Sequence, residues 1–392
     1  MGRRSGQKNK SEEGRVMKIC IISNVSGYKW AGSEEVWYIN ALNAIEQGHQ
    51  VTIFTHRDLA PSKQLANLRE KGAVTHTWEF FPIARFSSIR EKIKPSFPVS
   101  CLDHSDVILV SLGSLPALCY VPGLADSLLK TNAPIVPLVQ FNADHLPISP
   151  SERGIVSQVL QKSFTVVFIS QNNLRQARRQ YAIELSNASV IANPIRTVID
   201  QPYPWPVTED EVRFACVARF ELFWKGQDIL LDILSQSPWK ERNWHLTLYG
   251  SGPDKEHVVK LVEFYGLKDK VTFGGFVERL SEMWKDHHLL LLPSHGEGMP
   301  LSILEAMMFG RPIIATDVGG NCEIIENGID GFIAEAATVH SFGNAMERAW
   351  ARRTEWKEMG VAAHDKSSVS KDSNASDQLL DILLHTTKKK SL

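Results

Sequence analysis

Short apolar runs rich in β-branched residues, each followed by a stretch of helical periodicity, recur along this chain and constrain its fold more than any other feature. The first set comprises MKICIIS (17–23), QVTIFT (50–55), DVILVSL (106–112), APIVPLV (133–139), FTVVFIS (164–170) and ASVIANP (188–194). Runs without polar alternation read as strands buried on both faces, and such strands belong to parallel sheets whose crossovers are helices. Between residues 194 and 211 the rhythm stops at Pro202, Pro204 and Pro206, which suit neither a helix interior nor a central strand. It then restarts with VRFACVAR (212–219), HLTLYG (245–250), KVTFGGF (270–276), HHLLLLP (287–293) and PIIATDV (312–318). The expected class is α/β, with two doubly wound parallel-sheet, Rossmann-like domains facing a cleft.

The length agrees, since 392 residues exceed what one hydrophobic core usually organises. The pattern divides the chain into a basic tail (1–16), an N-terminal domain (17–195), a proline-rich linker (196–211), a C-terminal domain (212–365), and a C-terminal helix with a basic tail (366–392). Forty-three basic and 44 acidic residues give a net charge of −1, so no global field favours nucleic acid, and any phosphate recognition must be local. The five cysteines are scattered, without a C-x-x-C spacing, and read as buried thiols of a reducing compartment. Apolar runs stay short of the ~18 residues that a spanning helix needs, and the basic start lacks a signal-peptide core, so the expected location is cytoplasmic. Gly2 is followed by glycine at position 6, where a myristoylation signal wants Ser or Thr.

The chemistry concentrates in SHGEGMPLSILEAMMFGRPIIATDVGG (294–320). A strand ends at Pro293, a loop with two glycines follows, and Pro300 stands at the expected first position of a helix over 301–309, which Gly310 and Pro312 end. The N-terminus of that helix offers aligned N–H groups to an anion, and Gly298 lets a ligand approach the backbone closely. Glu297 and Glu305 lie too far apart in sequence for a close carboxylate pair. They suit two contacts along one elongated, hydroxyl-bearing ligand, such as a diphosphate sugar. Taken singly, Glu297 could simply favour the helix dipole and Glu305 a solvated face. Arg219 and Lys225 fall on the expected loop between the first strand of the second domain and its helix, at the same sheet edge. Together they can neutralise a diphosphate. The turns around Gly250 and Gly252 and around Phe276 and Val277 could line a nucleotide pocket, or be ordinary β-to-α turns.

With these motifs in place, residues 17–334 resemble the retaining glycosyltransferases of family 4, the glycosyl transferases group 1 of GT-B fold. The carriers are Glu297 and Glu305 in an E-x7-E pattern, Arg219 with Lys225, the stretch from Glu305 to Glu323, the GSGP turn and IANPI. The resemblance implies that Glu297 and the backbone of Gly298, Met299, Pro300 and Leu301 hold the transferred sugar. It implies that Glu305 binds the ribose, Arg219 and Lys225 bind the diphosphate, and Phe276 and Val277 lie beside the base. The donor would be a UDP- or GDP-sugar, with no permanently bound cofactor. Without a D-x-D sequence, no bridging metal is expected. Gly32 matches the family's glycine-rich loop after the first strand, with Ala31 at its second glycine. Where the family often has a histidine after the strand at 133–139, Gln140 to Asp144 precede His145, which is the candidate acceptor-side histidine. Lys29 and Trp30 are further acceptor-side candidates.

The acceptor is open: a glycan, a lipid or a small molecule, a lipid bringing peripheral contact with the inner face of a membrane. A nicotinamide-binding fingerprint is absent, because Lys255 stands where the third glycine after Gly250 and Gly252 belongs. Ser33 and Glu34 occupy the Lys and Ser/Thr positions of a P-loop. The remaining alternative is a catalytically degenerate sugar-binding or partner-activating subunit.

Overall fold

The computed structural model describes residues 15–25, 27, 29, 30, 32–78, 102–145, 147–193, 199–207, 211–277, 279–369 and 375–386. Residues 1–14 of the expected N-terminal tail, Lys388 to Lys390 and parts of the proline-rich break lie outside them; Arg15, at the end of that tail, pairs with Asp106 at 3.0 Å.

Two fully parallel sheets form the molecule, as the apolar runs require. The N-terminal sheet contains β1 (Lys18–Ser23), β2 (Gln50–His56), β3 (Val74–Trp78), β4 (Val107–Leu112), β5 (Ile135–Val139), β6 (Val166–Phe168) and β7 (Ala188–Val190), in the order β3-β2-β1-β4-β5-β6-β7. The C-terminal sheet contains β8 (Val212–Val217), β9 (Trp244–Tyr249), β10 (Val271–Gly275), β11 (Leu289–Leu292), β12 (Ile313–Thr316) and β13 (Gly331–Ala334), in the order β10-β9-β8-β11-β12-β13. The central strands β4, β5, β11 and β12 are buried at every residue. Apolar clusters cover both faces of each sheet. Each order reverses once, between β1 and β4 and between β8 and β11. Such reversals open a crevice beyond the carboxyl ends of the strands.

Two strands escape the apolar-run criterion. VTHTW in β3 lies on a sheet edge with no fully buried residue, and GFIA in β13 has only four residues, after a turn in which Gly328 takes φ +84°. Pro300 also differs from expectation. With ψ 126° it is the extended residue preceding the helix Leu301–Met308, not its first turn, so its missing N–H costs the helix nothing.

The described part of the proline-rich break is bonded to the C-terminal domain. Arg311 is fully buried and donates to the carbonyls of Tyr203, Pro204, Trp284 and His287, with its guanidinium 5.4 Å from the Trp205 ring centre. Burial among carbonyls, with no carboxylate beside it among the described residues, pushes its pKa down to about 10.

At the other end, the helix Trp356–Val369 packs on the helix Leu301–Met308, and the chain then returns to the N-terminal domain. The last helix, Ala375–His385, buries Leu379, Leu380 and Leu383 in the core that contains Val36 and Trp37. Asn43 Nδ2 donates to Asp377 Oδ1 at 2.8 Å beside it. Replacing both Leu379 and Leu383 by Ala is expected to destabilise the N-terminal domain by ~2–5 kcal/mol per site. Denaturant unfolding followed by a probe in each domain checks this; an unchanged N-terminal transition would contradict the docking.

Candidate functional site

Both topological reversals face the same space, and a cavity of about 590 Å³ lies between them. From the N-terminal sheet its wall takes Asn24, Gly32 and Ser33 after β1, Gln140 and Phe141 after β5, and Asn193 after β7. From the C-terminal sheet it takes Arg219, Trp224 and Lys225 after β8 and residues 296–302 with Glu305 after β11.

The centre of the site is an ion pair. Lys225 Nζ lies 2.7 Å from Glu297 Oε1, with the Glu297 side chain 8% and the Lys225 side chain 15% exposed. Ser294 Oγ donates to the same oxygen at 2.7 Å. A carboxylate this buried needs such partners, and removing one would leave a buried charge uncompensated. The local fold aims the lysine. Lys225 ends a single helical turn, Leu222–Lys225, and is not the loop residue expected. Gly226 then turns left-handed at φ +60°, and its bare Cα rests against the Pro293 carbonyl, where any Cβ would collide. That approach seats Lys225 over the Ser294–Glu297 loop.

Arg219 lies at the end of β8, its Nη2 3.0 Å from Glu221 Oε2 and its carbonyl held by Gln227 Nε2 at 2.7 Å. Partial burial lowers its pKa, and the Glu297 charge opposes that shift. Gly250 and Gly252 stand behind the wall. A Cβ at Gly250 would strike the Ala218 carbonyl, and one at Gly252 the Phe220 carbonyl, so these glycines seat the Arg219 loop. Phe276 is 80% exposed; neither it nor Val277 lines the cavity. Among the described residues, no group of three or more His, Cys, Asp or Glu is placed to hold a metal ion.

The two domains touch around Glu297. A Cβ at Gly298 would collide with the Gln140 carbonyl, Leu301 packs against Gly32, and Asn193 Nδ2 donates to the Met299 carbonyl at 2.6 Å. The Phe141 ring lies edge-on to Trp224, with centres 4.9 Å apart. His145 does not line the cavity; it packs 5.4 Å from the Trp224 ring and 5.6 Å from that of Phe223. Trp30 folds onto Trp37 and Tyr38, its indole N–H donating to Glu35, and Lys29 is exposed. Neither lines the cavity. Sequence reasoning missed the roles of Asn193 and Trp224, which arise from contacts between segments far apart in the chain, and that of Ser294, which bonds Glu297 three residues on. Gln140 stood at the expected place of a histidine; both its side-chain amide atoms are buried and have no hydrogen-bond partner among the described residues.

Residues 211–352 match the model of the family described as glycosyl transferases group 1. A 127-residue stretch is 35% identical to the exopolysaccharide phosphotransferase SCO2592 of Streptomyces coelicolor, covering 32% of this chain and 14% of that protein. A longer match, 26% identical over 310 residues, is to the gpi3 subunit of the phosphatidylinositol N-acetylglucosaminyltransferase of Schizosaccharomyces pombe, covering 74% of this chain and 63% of that one. The chain thus spans less than two thirds of either relative. Among solved structures, Anabaena HepE in complex with UDP-glucose superposes with a TM-score of 0.71 at 18% identity, covering 94% of this chain and 100% of that chain. The fold is therefore GT-B, as the sequence resemblance implied. Residues 211–352 thus match the glycosyl transferases group 1, within a chain that has the GT-B fold.

One further acid lies behind the wall. Glu34 is fully buried and accepts hydrogen bonds from Ser23 Oγ at 2.6 Å, Trp37 Nε1 at 2.8 Å and Ser33 Oγ at 3.3 Å. Burial outweighs these donors and raises its pKa from 4.5 to about 7. A raised acid favours the fold while protonated, so its contribution is complete below pH 4.5 and is lost as pH rises through about 7. Glu34→Gln should flatten the stability profile between pH 5 and 8, removing a fall of up to roughly 3 kcal/mol. Denaturant titrations of both proteins at the two pH values test this; parallel profiles would count against it.

Proposed function

We propose that this chain transfers a sugar from a nucleoside diphosphate sugar to a hydroxyl of a carbohydrate or lipid-linked acceptor, with retention of anomeric configuration and without a metal ion. The observation that carries the reading is the Lys225–Glu297 pair between Arg219 and the N-terminus of the helix Leu301–Met308, in the cleft of a GT-B fold. UDP is the favoured leaving group, since HepE, of the same fold, is described in complex with UDP-glucose.

In this reading the leaving diphosphate meets Arg219, Lys225 and the free N–H groups at the start of that helix. Negative charge grows on it as the glycosidic bond breaks, and donors already in position stabilise that charge without reorganising. These fixed cations do the work a bridging metal would otherwise do. Glu297 and the backbone of residues 298–301 hold the sugar, Glu305 takes the ribose hydroxyls, and the base covers Phe276 beside Val277. The acceptor enters along Asn24, Ser33 and Gln140 and attacks from the face the diphosphate leaves. Gln140, at the end of β5, is the acceptor-side polar contact, and His145 supports Trp224 behind it.

Lys225→Ala and Glu297→Ala are each expected to lower turnover by at least a factor of about 100, measured as UDP release from a panel of UDP-sugars with acceptors. Near-wild-type rates in either variant would sink the assignment. EDTA should leave the rate unchanged, and loss of activity on chelation would refute metal independence. The amide at Gln140, where the resembled family often has histidine, keeps a second reading in view. A non-catalytic sugar-binding subunit would bind UDP and turn over no donor with any acceptor.

A further inference from the structure

The helix Gln171–Tyr181 of the N-terminal domain is capped from the other domain. A helix start leaves four N–H groups without intrahelical acceptors. Here Leu174 N makes the first i→i−4 bond, to the Ser170 carbonyl at 3.3 Å, and Asn173 N, one of the four, donates to Ser170 Oγ at 3.1 Å. Two more reach across the cleft to one carboxylate: Gln171 N to Glu323 Oε2 at 3.0 Å and Asn172 N to Glu323 Oε1 at 2.7 Å. Asn172 Nδ2 also donates to the Gly319 carbonyl at 3.0 Å.

The segment that carries Glu323 also supports the site. Gly319, at φ +55°, leaves no room for a Cβ against the carbonyls of Glu297 and Gly298, and Gly320 N donates to the Gly298 carbonyl at 2.6 Å. A continuous chain of contacts thus runs from the helix of one domain, through Glu323 and the Gly319–Gly320 turn, to the loop that holds Glu297.

We propose that Glu323 is a positioning residue, an interdomain helix cap that favours the closed cleft and thereby sets the Glu297–Gly298 loop for the donor. Only a carboxylate fits the role. It accepts through two oxygens and complements the positive end of the helix dipole, whereas a glutamine would turn its NH2 toward one of the two N–H groups. Since the carboxylate is solvent-exposed, the effect is modest and screened by salt.

The donor consequence rests on the function proposed above; the closure does not, and the test separates them. Fluorophores on the two domains of the full chain would report the closed fraction by single-molecule energy transfer, without ligand and with UDP. Glu323→Ala and Glu323→Gln are expected to lower the closed-to-open ratio roughly three- to tenfold, with Glu323→Asp recovering part of it. Raising salt should open the wild type and leave Glu323→Ala unmoved. Apparent UDP affinity should fall by no more than the loss of closed population, while the unfolding midpoints of both domains stay put. Equal closed fractions in wild type and Glu323→Ala would overturn the proposal. If UDP fails to bind the wild type, the donor reading falls, and the closed fractions without ligand still decide the role of Glu323.

Discussion

The bare Cα of Gly298 lies against the Gln140 carbonyl, and the rest of the cleft depends on that approach. It brings the loop after β11 onto the end of β5, so that two sheets with separate cores share one wall. Close backbone contact of this kind is available only to glycine. The same device recurs nearby, with Gly226 against Pro293 and Gly319 against Glu297. The loops around Lys225 and Glu297 are thus fixed by backbone packing, and their side chains start from a stiff base. A buried ion pair sets a charge only as well as its anchors hold it.

Charge on the described wall of the cavity is one-sided. Arg219, Lys225, Glu297 and Glu305 all come from the C-terminal domain. The N-terminal domain contributes amides, hydroxyls and apolar surface, among them Asn24, Ser33, Tyr120, Gln140 and Phe141. A fixed field on one side and neutral hydrogen-bonding groups on the other divide the labour of recognition. The first suits a phosphate-bearing ligand; the second suits hydroxyls.

Much of this was legible in the chain because the central strands are buried on both faces, which writes them as unbroken apolar runs. The helix after Pro300 and the placing of Arg219 and Lys225 at the same sheet edge as Glu297 could be read from punctuation by proline and glycine and from order along the chain; the ion pair between Lys225 and Glu297 could not. The edge strand VTHTW could not, since one polar-faced strand resembles a loop. Nor could the seat of the last helix, because Leu379 and Leu383 show an apolar face without saying which core receives it. The contacts of Glu323 with Gln171 and Asn172 join residues about 150 positions apart, and no local pattern encodes which helix a carboxylate will meet. Gln140 illustrates the converse: its place after β5 was readable, whereas the burial of its amide was not.

The docking of helix Ala375–His385 makes the two halves of the sequence interdependent. Leu379, Leu380 and Leu383 complete the apolar core around Val36 and Trp37, while the helix Trp356–Val369 before them packs on the C-terminal domain. The N-terminal domain is therefore not one contiguous stretch of sequence: a chain cut at the proline-rich break would leave its N-terminal half without three of its core leucines.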